Sequence, residues 1–546
     1  MKIKKNSFLQ GAFIATFAIV LCKVLGILYV IPFNSVIGEK GGALYAYAYN
    51  IYSVFLSISM AGIPIAMSKV ISEYHTLGYS KAKKKAYDIG KWLSIIAGVV
   101  CFLVLFIFAD KIGYLIIGGI EGGNTKEDVA LVIRTISTAI LIIPLLSVIR
   151  GYFQGHRYIT ETSISEVIEQ VVRVLIIVIG SFLMYKVFNF SLTATVCVSV
   201  FAATVGGLFA EIYLWLKEKK FAKDFAEEKK VKEPEFTTKE IFKKIIIYAL
   251  PLVMIEVFRT LYNSVDVMML VKTLVNKFNY SVTDAESIIS IISTWGLKIN
   301  MIVISLVTGL MTSLIPNLTS NLVENDTKGV EERINKTYQF VLFFVIPMTV
   351  GLSILAEPVW TIFYGASKYG PSAYSFLVFV ALATSLFTTT TMIVQILKGN
   401  KVLFISLFAG ILSKILLNIP FMYLSELMGF EAFFGSIAAT IFGFLLPVVI
   451  CFTYIKKSYK INFKPVLKTL GNVLLGVILM TIVLLIMKLF IPMNVTSRLM
   501  AIVVTLVYTI VGALVYFVVV VKTKELYRVF DIKDLKGIKK ILKRGK

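Results

Sequence analysis

Two sets of polar residues interrupt otherwise apolar sequence at helical spacing. Glu166, Glu169, Gln170 and Arg173 fall at i, i+3, i+4 and i+7, and Glu256, Arg259, Asn263 and Asp266 at i, i+3, i+7 and i+10. On a helix each set occupies one face. Each mixes signs and can partly neutralise itself. Single cations stand in other apolar runs: Lys23, Lys69, Lys298 and Lys414. An ionisable residue at the centre of a membrane helix costs about 2.5–3.5 kcal/mol on insertion scales, so such residues turn toward a cavity or toward one another. Lys69, near a helix end, reads as an anchor that snorkels to the surface. The Glu166–Arg173 stripe is open to two readings, a structural ion-pair network or a cavity lining. Lys23, Arg259 and Lys298 read as lining a polar cavity. Surplus positive charge there suits an anionic cargo, because arginine grips phosphate through its fork and lysine as a point charge.

Catalytic chemistry has little to stand on. The chain carries no P-loop, no GxSxG and no HExxH. Its two histidines, His75 and His156, lie near helix ends, and Cys22, Cys101, Cys197 and Cys451 all sit in apolar runs as small hydrophobes. No enzyme activity, metal or cofactor is expected.

The elements that must position these residues are membrane helices. Of 546 residues 58% are hydrophobic, above the roughly 45–50% of a soluble domain. Runs near the 20 apolar residues of a span recur from Phe8 almost to Lys522. The spans read as 8–33, 43–75, 82–109, 128–152, 160–186, 191–217, 240–273, 284–322, 333–356, 372–398, 401–425, 432–456, 465–490 and 497–521. The second, seventh and eighth exceed a ~30 Å core and are expected to tilt, bend or project. Lys2, Lys4 and Lys5 before Phe8 imitate a signal peptide, but the apolar run continues to Pro32 with no small-residue cleavage site, so it reads as a retained first span.

The net charge of +24 sits in short loops and tails, as positive-inside anchoring on anionic lipid requires, and nucleic acid is not an expected partner. Lys81 to Lys85, Lys217 to Lys230 and Lys456 to Lys460 mark one side, while Glu121 to Asp128, Asp284 with Glu286, and Glu426 with Glu431 mark the other. That alternation predicts a multi-pass protein with both termini cytoplasmic. The tail after Lys522 reads as topology anchoring.

The second half echoes the first. Gly62-Ile63-Pro64 finds a counterpart in Leu314-Ile315-Pro316, and Gly155-His156 in Gly399-Asn400, at similar offsets. The expected organisation is an all-α polytopic protein of about fourteen transmembrane helices: an N-lobe of six (1–217), a cytoplasmic linker (218–239), a C-lobe of six (240–456), two appended helices (465–521) and a basic tail (522–546). Repeated bundles around a midplane cavity are a transporter architecture, and Pro64, Pro251, Pro316, Pro347 and Pro420 supply bend points.

A series of motifs then resembles a known family. Lys23-Val24-Leu25-Gly26, Ile37-Gly38-Glu39-Lys40-Gly41-Gly42, Ala61-Gly62-Ile63-Pro64, Arg150-Gly151-Tyr152-Phe153-Gln154-Gly155 and Glu169-Gln170-Val171-Val172-Arg173 are similar to the SpoVB/YtgP-like polysaccharide-biosynthesis branch of the MOP flippase superfamily, which includes lipid II flippases of the MurJ type. The resemblance implies a MOP/MATE-like fold in the bacterial plasma membrane. It also implies alternating-access flipping of an undecaprenyl-diphosphate-linked sugar, most of all lipid II, from inner to outer leaflet. Membrane lipids are the other implied partner, and a monomer is expected. Substrate-binding residues then read as Lys23, Arg173, Arg259 and Lys298, with Glu166, Glu169, Glu256, Asp266, Lys414 and Asn418 as a coupling or ion-pair network. Lys23 matches the family's first-span cation. Tyr29 stands where a second is expected, and the span-two arginines are absent. Asn418 resembles a sodium-site residue, but Lys414 one turn earlier places an ammonium there, so dependence on membrane potential is expected in place of sodium coupling. Two alternatives stay open: export of a teichoic, capsular or spore-specific lipid-linked precursor, and a MATE-type drug or cation antiporter. The antiporter would favour cavity carboxylates. A membrane-embedded glycosyltransferase would need acidic residues in a large external loop, and the external loops are short.

Overall fold

The computed structural model describes residues 8–60, 62–225, 233–324 and 326–530, and among these every regular element is a helix. Two compact units emerge, Met1–Lys298 and Ile299–Lys546.

The first unit holds α1 (Phe8–Leu28), α2 (Val30–Met60), α3 (Ile63–Leu77), α4 (Ser80–Ile107), α5 (Ala109–Ile117), α6 (Lys126–Ser137), α7 (Ala139–Gly155), α8 (Ile159–Leu175), α9 (Leu192–Phe225), α10 (Thr238–Phe278) and α11 (Val282–Ser290). The helix α10, with which the sequence reading opens its C-lobe, packs along α2, α3 and α4 and belongs to this unit. Gly62 turns the chain between α2 and α3 at φ 75°, a left-handed conformation that glycine adopts without strain, and Pro64 then opens α3. Its repeat counterpart is Leu314, and there α12 (Gly296–Val323) runs on without a break. At the second echoed pair the left-handed residues fall on opposite sides: Arg157 follows Gly155-His156 at the end of α7 (φ 67°), whereas Lys398 precedes Gly399-Asn400 at the start of α16 (Asn400–Leu427) (φ 58°).

The first part of the segment read as a linker is helical, because α9 extends to Phe225. Its reason is burial: Phe221 and Phe225 pack against Phe153, Tyr158 and each other. Past residues 226–232, Glu233 accepts from the Lys81 and Ala82 N–H groups at 3.0 and 2.5 Å, which caps the first turn of α4.

The second unit continues through α13 (Thr327–Ile354), α14 (Ala356–Tyr364), α15 (Gly370–Ile396), α16, α17 (Phe433–Tyr459), α18 (Lys464–Phe490), α19 (Arg498–Lys522) and α20 (Glu525–Phe530). Within it α16 packs on α17 and α13 on α18. The buried Glu525 carboxylate accepts from Thr469, Asn472 and Arg528 at 2.5–2.7 Å, fixing α20 against α18. The basic tail beyond Phe530 lies outside the described residues.

Among the described residues twelve helices are long and apolar enough to cross a membrane. The two further spans of the sequence reading are also helices: α1, whose described apolar part is Phe17–Leu28, and the 41-residue α10. Interior charges such as Glu256, Arg259 and Asp266 lower the apolarity of α10. The fold is therefore that of a polytopic helical membrane protein.

Candidate functional site

The centre of interest lies in the first unit, where α2, α8 and the segment ending at Lys298 meet. Arg173 comes fourteen residues after Ile159 in a helical stretch of 29 residues, about 21 Å along the axis at ~1.5 Å per residue, hence near its midpoint. Immediately after α8 the helix widens to a π turn at Ile176–Gly180, and another π turn, Ile291–Trp295, precedes Lys298. Such turns shift side chains off the regular spacing and recur at functional positions.

Arg173 does not use the carboxylates of its own stripe. Its guanidinium donates to the Tyr49 hydroxyl at 3.3 Å and lies 5.7 Å from the centre of the same ring. Tyr29, Tyr45 and Tyr52 also lie within its electrostatic reach. Tyr45 stacks on Tyr49 at 5.3 Å, and Tyr49 tilts against Tyr52 at 5.8 Å. Lys298 sits over the Tyr29 ring at 5.4 Å and acts on Tyr45 and Tyr49 as well. Phe33 closes the cluster, edge-on to both Tyr45 and Trp295. The approach of α2 to Trp295 depends on Gly42, where a Cβ would meet the indole at 2.5 Å. Two cations thus share one tyrosine cluster. Among its members Arg173, Lys298 and Tyr49 stay half-exposed, while Tyr29, Tyr45 and Tyr52 are buried.

The carboxylates of the stripe are accounted for by a residue from another helix. Arg150 of α7 donates to Glu169 at 2.9 Å and to Ser165 at 2.9 and 3.1 Å. Close approach of α9 to α8 at Gly206, where a Cβ would come 2.7 Å from the Glu169 carbonyl, holds this register. Glu166, half-buried, faces α1: its backbone carbonyl accepts from the Cys22 thiol at 3.6 Å, and Gly26 packs beside Gln170. Lys23 therefore lies on the helix packed against this stripe.

The α10 set divides. Arg259 donates to both oxygens of Glu256, three residues before it, and the pair is exposed by 45% and 35%. Asp266 is buried, two turns further along, where Ser264 also reaches the Asn50 carbonyl of α2. In the second unit Lys414 is fully buried and donates to the Asn418 amide oxygen at 3.0 Å and the Ser436 carbonyl at 2.9 Å. The structure thus brings Arg173 and Lys298 together, places Glu169 at their edge, and gives Arg259–Glu256 and Lys414–Asn418 separate local partners. Sequence reasoning passed over Tyr45, Tyr49 and Tyr52, although their i, i+4, i+7 spacing puts them on one face of α2. It also left Arg150 without a role.

Chemically, a fork and an ammonium on a bed of phenol groups can hold an anion with several oxygens, and the aromatic faces can take apolar or sugar surface. Lys69 over Tyr248, and Lys244 paired with Glu73 at 2.6 Å, tie α3 to α10 elsewhere in the unit. Among the described residues no group of three or more His, Cys, Asp or Glu side chains could hold a metal.

Comparison with known proteins agrees with this architecture. The family of polysaccharide biosynthesis proteins matches residues 8–279. The lipid II flippase MurJ of Bacillus subtilis (strain 168) is 31% identical over 470 residues, 85% of each chain. Among solved structures, lipid II flippase MurJ in an inward closed conformation superposes with a TM-score of 0.67 at 18% identity, covering 94% of this chain and 99% of that one. An inward-facing multidrug MATE transporter of the MOP superfamily gives 0.60 at 14% identity, over 80% of this chain and 94% of that one.

Proposed function

The chain belongs to the polysaccharide-biosynthesis family of the MOP flippase superfamily, and from that premise we propose that it flips lipid II from the cytoplasmic to the outer leaflet by alternating access. It is a multi-pass bacterial membrane protein of the transport kind and not an enzyme. The observation that carries the reading is the Arg173–Lys298 pair on its tyrosine cluster: two mid-helix cations near each other, with phenol groups around the guanidinium. A lipid-linked diphosphate brings the anionic oxygens such a centre can bind. Arg173 takes them through its fork, Lys298 as a point charge, and Tyr49 donates from its hydroxyl. Lys23 and Arg259 extend the cationic lining. An antiporter for cationic drugs would gain nothing from this centre, since like charges repel the cargo.

The lysine-rich loops face the cytoplasm in this account, with both termini, and the protein acts as a monomer. Each charge moved outward across an inside-negative membrane gains about 2.3 kcal/mol per 100 mV, so the potential assists export of the diphosphate. Lys414 fills the oxygen set around Asn418 with its own ammonium, and no sodium ion is needed. Depleting the protein and identifying the lipid-linked intermediate that accumulates tests the substrate. Lipid II is the expected product. Accumulation of a teichoic or capsular precursor with lipid II unchanged would replace it, and no accumulation would remove the flippase reading.

A further inference from the structure

Glu169 and Arg173 stand four residues apart on α8, with the acid on the N-terminal side, the favourable orientation for an intrahelical ion pair. The pair does not form. Glu169 turns instead to Arg150 on α7 at 2.9 Å, with the two side chains exposed by only 18% and 13%, and Arg150 is fixed further by two bonds to the Ser165 hydroxyl. Arg173 is left to Tyr49, and among the described residues no carboxylate pairs with it. We propose that Arg150 is a positioning residue that draws Glu169 away from Arg173, and so keeps the Arg173 guanidinium available for the anionic headgroup of the cargo.

The inference rests on the anion-site reading of Arg173. Two features give it physical weight. A salt bridge shielded from water is stronger than a surface pair, so Arg150 competes well for Glu169. With Arg150 gone, Glu169 would be a half-buried charge without a partner, and the nearest cation on its own helix is one turn away. The rearranged pair would neutralise Arg173. Arg150 itself needs no contact with the cargo.

The test measures binding of undecaprenyl diphosphate to purified full-length protein in nanodiscs, with a thermal melt recorded for every variant. Arg150→Met should bind at least tenfold more weakly. Glu169→Gln should bind within threefold of the parent. The double variant Arg150→Met/Glu169→Gln should return to within threefold of the parent, because the competitor for Arg173 is then neutral. Arg150→Lys, which keeps a cation beside Glu169, should lose less than Arg150→Met and serves if that variant does not fold. A double variant that folds and still binds tenfold more weakly would overturn the proposal, since the loss would then belong to Arg150 itself. Unchanged binding in Arg150→Met would also overturn it. Arg173→Ala separates the two layers: binding equal to the parent would refute the anion site, whatever Arg150 does.

Discussion

Replacing Lys414 offers a quantitative check on how the second unit treats a buried charge. The ammonium makes two short bonds, to Asn418 and to the Ser436 carbonyl. Hydrogen bonds to charged groups contribute about 1.5–3 kcal/mol each, so losing both costs about 3–6 kcal/mol. Against this, a lysine at a helix centre costs about 2.5–3.5 kcal/mol to place in the membrane, which Lys414→Met recovers. The midpoints of these ranges leave Lys414→Met destabilised by about 1.5 kcal/mol, with roughly 3.5 kcal/mol as the upper bound. Lys414→Ala removes the same charge and also leaves space beside two oxygens that formerly held a cation. Sodium should then bind and stabilise this variant, by about 1.4 kcal/mol at ten times its dissociation constant. The assay is thermal unfolding of purified protein in sodium chloride against choline chloride at equal ionic strength. The parent should melt identically in both, and Lys414→Ala should melt higher in sodium. A parent protein stabilised by sodium over choline would refute the reasoning, because the site would then accept an ion despite its lysine.

Further outcomes follow from the same structure. Cysteine at Ser80 should react with an impermeant maleimide only from the cytoplasm and cysteine at Glu121 only from outside; the reverse pattern would invert the orientation. Glu121 is exposed and so accessible to the reagent, whereas nearby Asn124 is buried and donates to Glu286 at 2.7 and 2.9 Å. Gly42→Ala should lower the melting free energy by about 1–3 kcal/mol through overpacking on Trp295, and an unchanged melt would show that α2 has room to shift. Arg259→Ala should leave normal amounts of folded protein, because an exposed i, i+3 pair contributes only about 0.2–0.5 kcal/mol, yet reduce flipping at least tenfold; loss of the folded protein would assign the pair a structural role.

How much of this was legible in the sequence differs by level. Membrane helices were, because apolar runs near 20 residues leave the chain few other structures. The stripe does fall within one helix, α8, as its spacing requires. Its pairing was not legible: local spacing favours Glu169 with Arg173, and the winning partner, Arg150, arrives from another helix 19 residues away. A register between helices is a tertiary fact that spacing within one helix does not encode. The tyrosines of α2 escaped for a related reason, since Tyr45, Tyr49 and Tyr52 have the periodicity of an ordinary buried face. Only the packing of Arg173 against them separates a core stripe from a binding surface. The helical start of the linker was missed because its lysines hid Phe221 and Phe225, whose burial decides the conformation.

In the proposed mechanism this chain moves a lipid-linked diphosphate through the Arg173–Lys298 centre. That mechanism is tested most directly in proteoliposomes carrying lipid II, with a probe that reaches only the outer leaflet, comparing the parent with Arg173→Ala and Lys298→Ala at fixed membrane potential. Lipid II should appear rapidly outside with the parent, and at least tenfold more slowly with either variant reconstituted at equal density. Equal rates for the parent and both variants would contradict the mechanism.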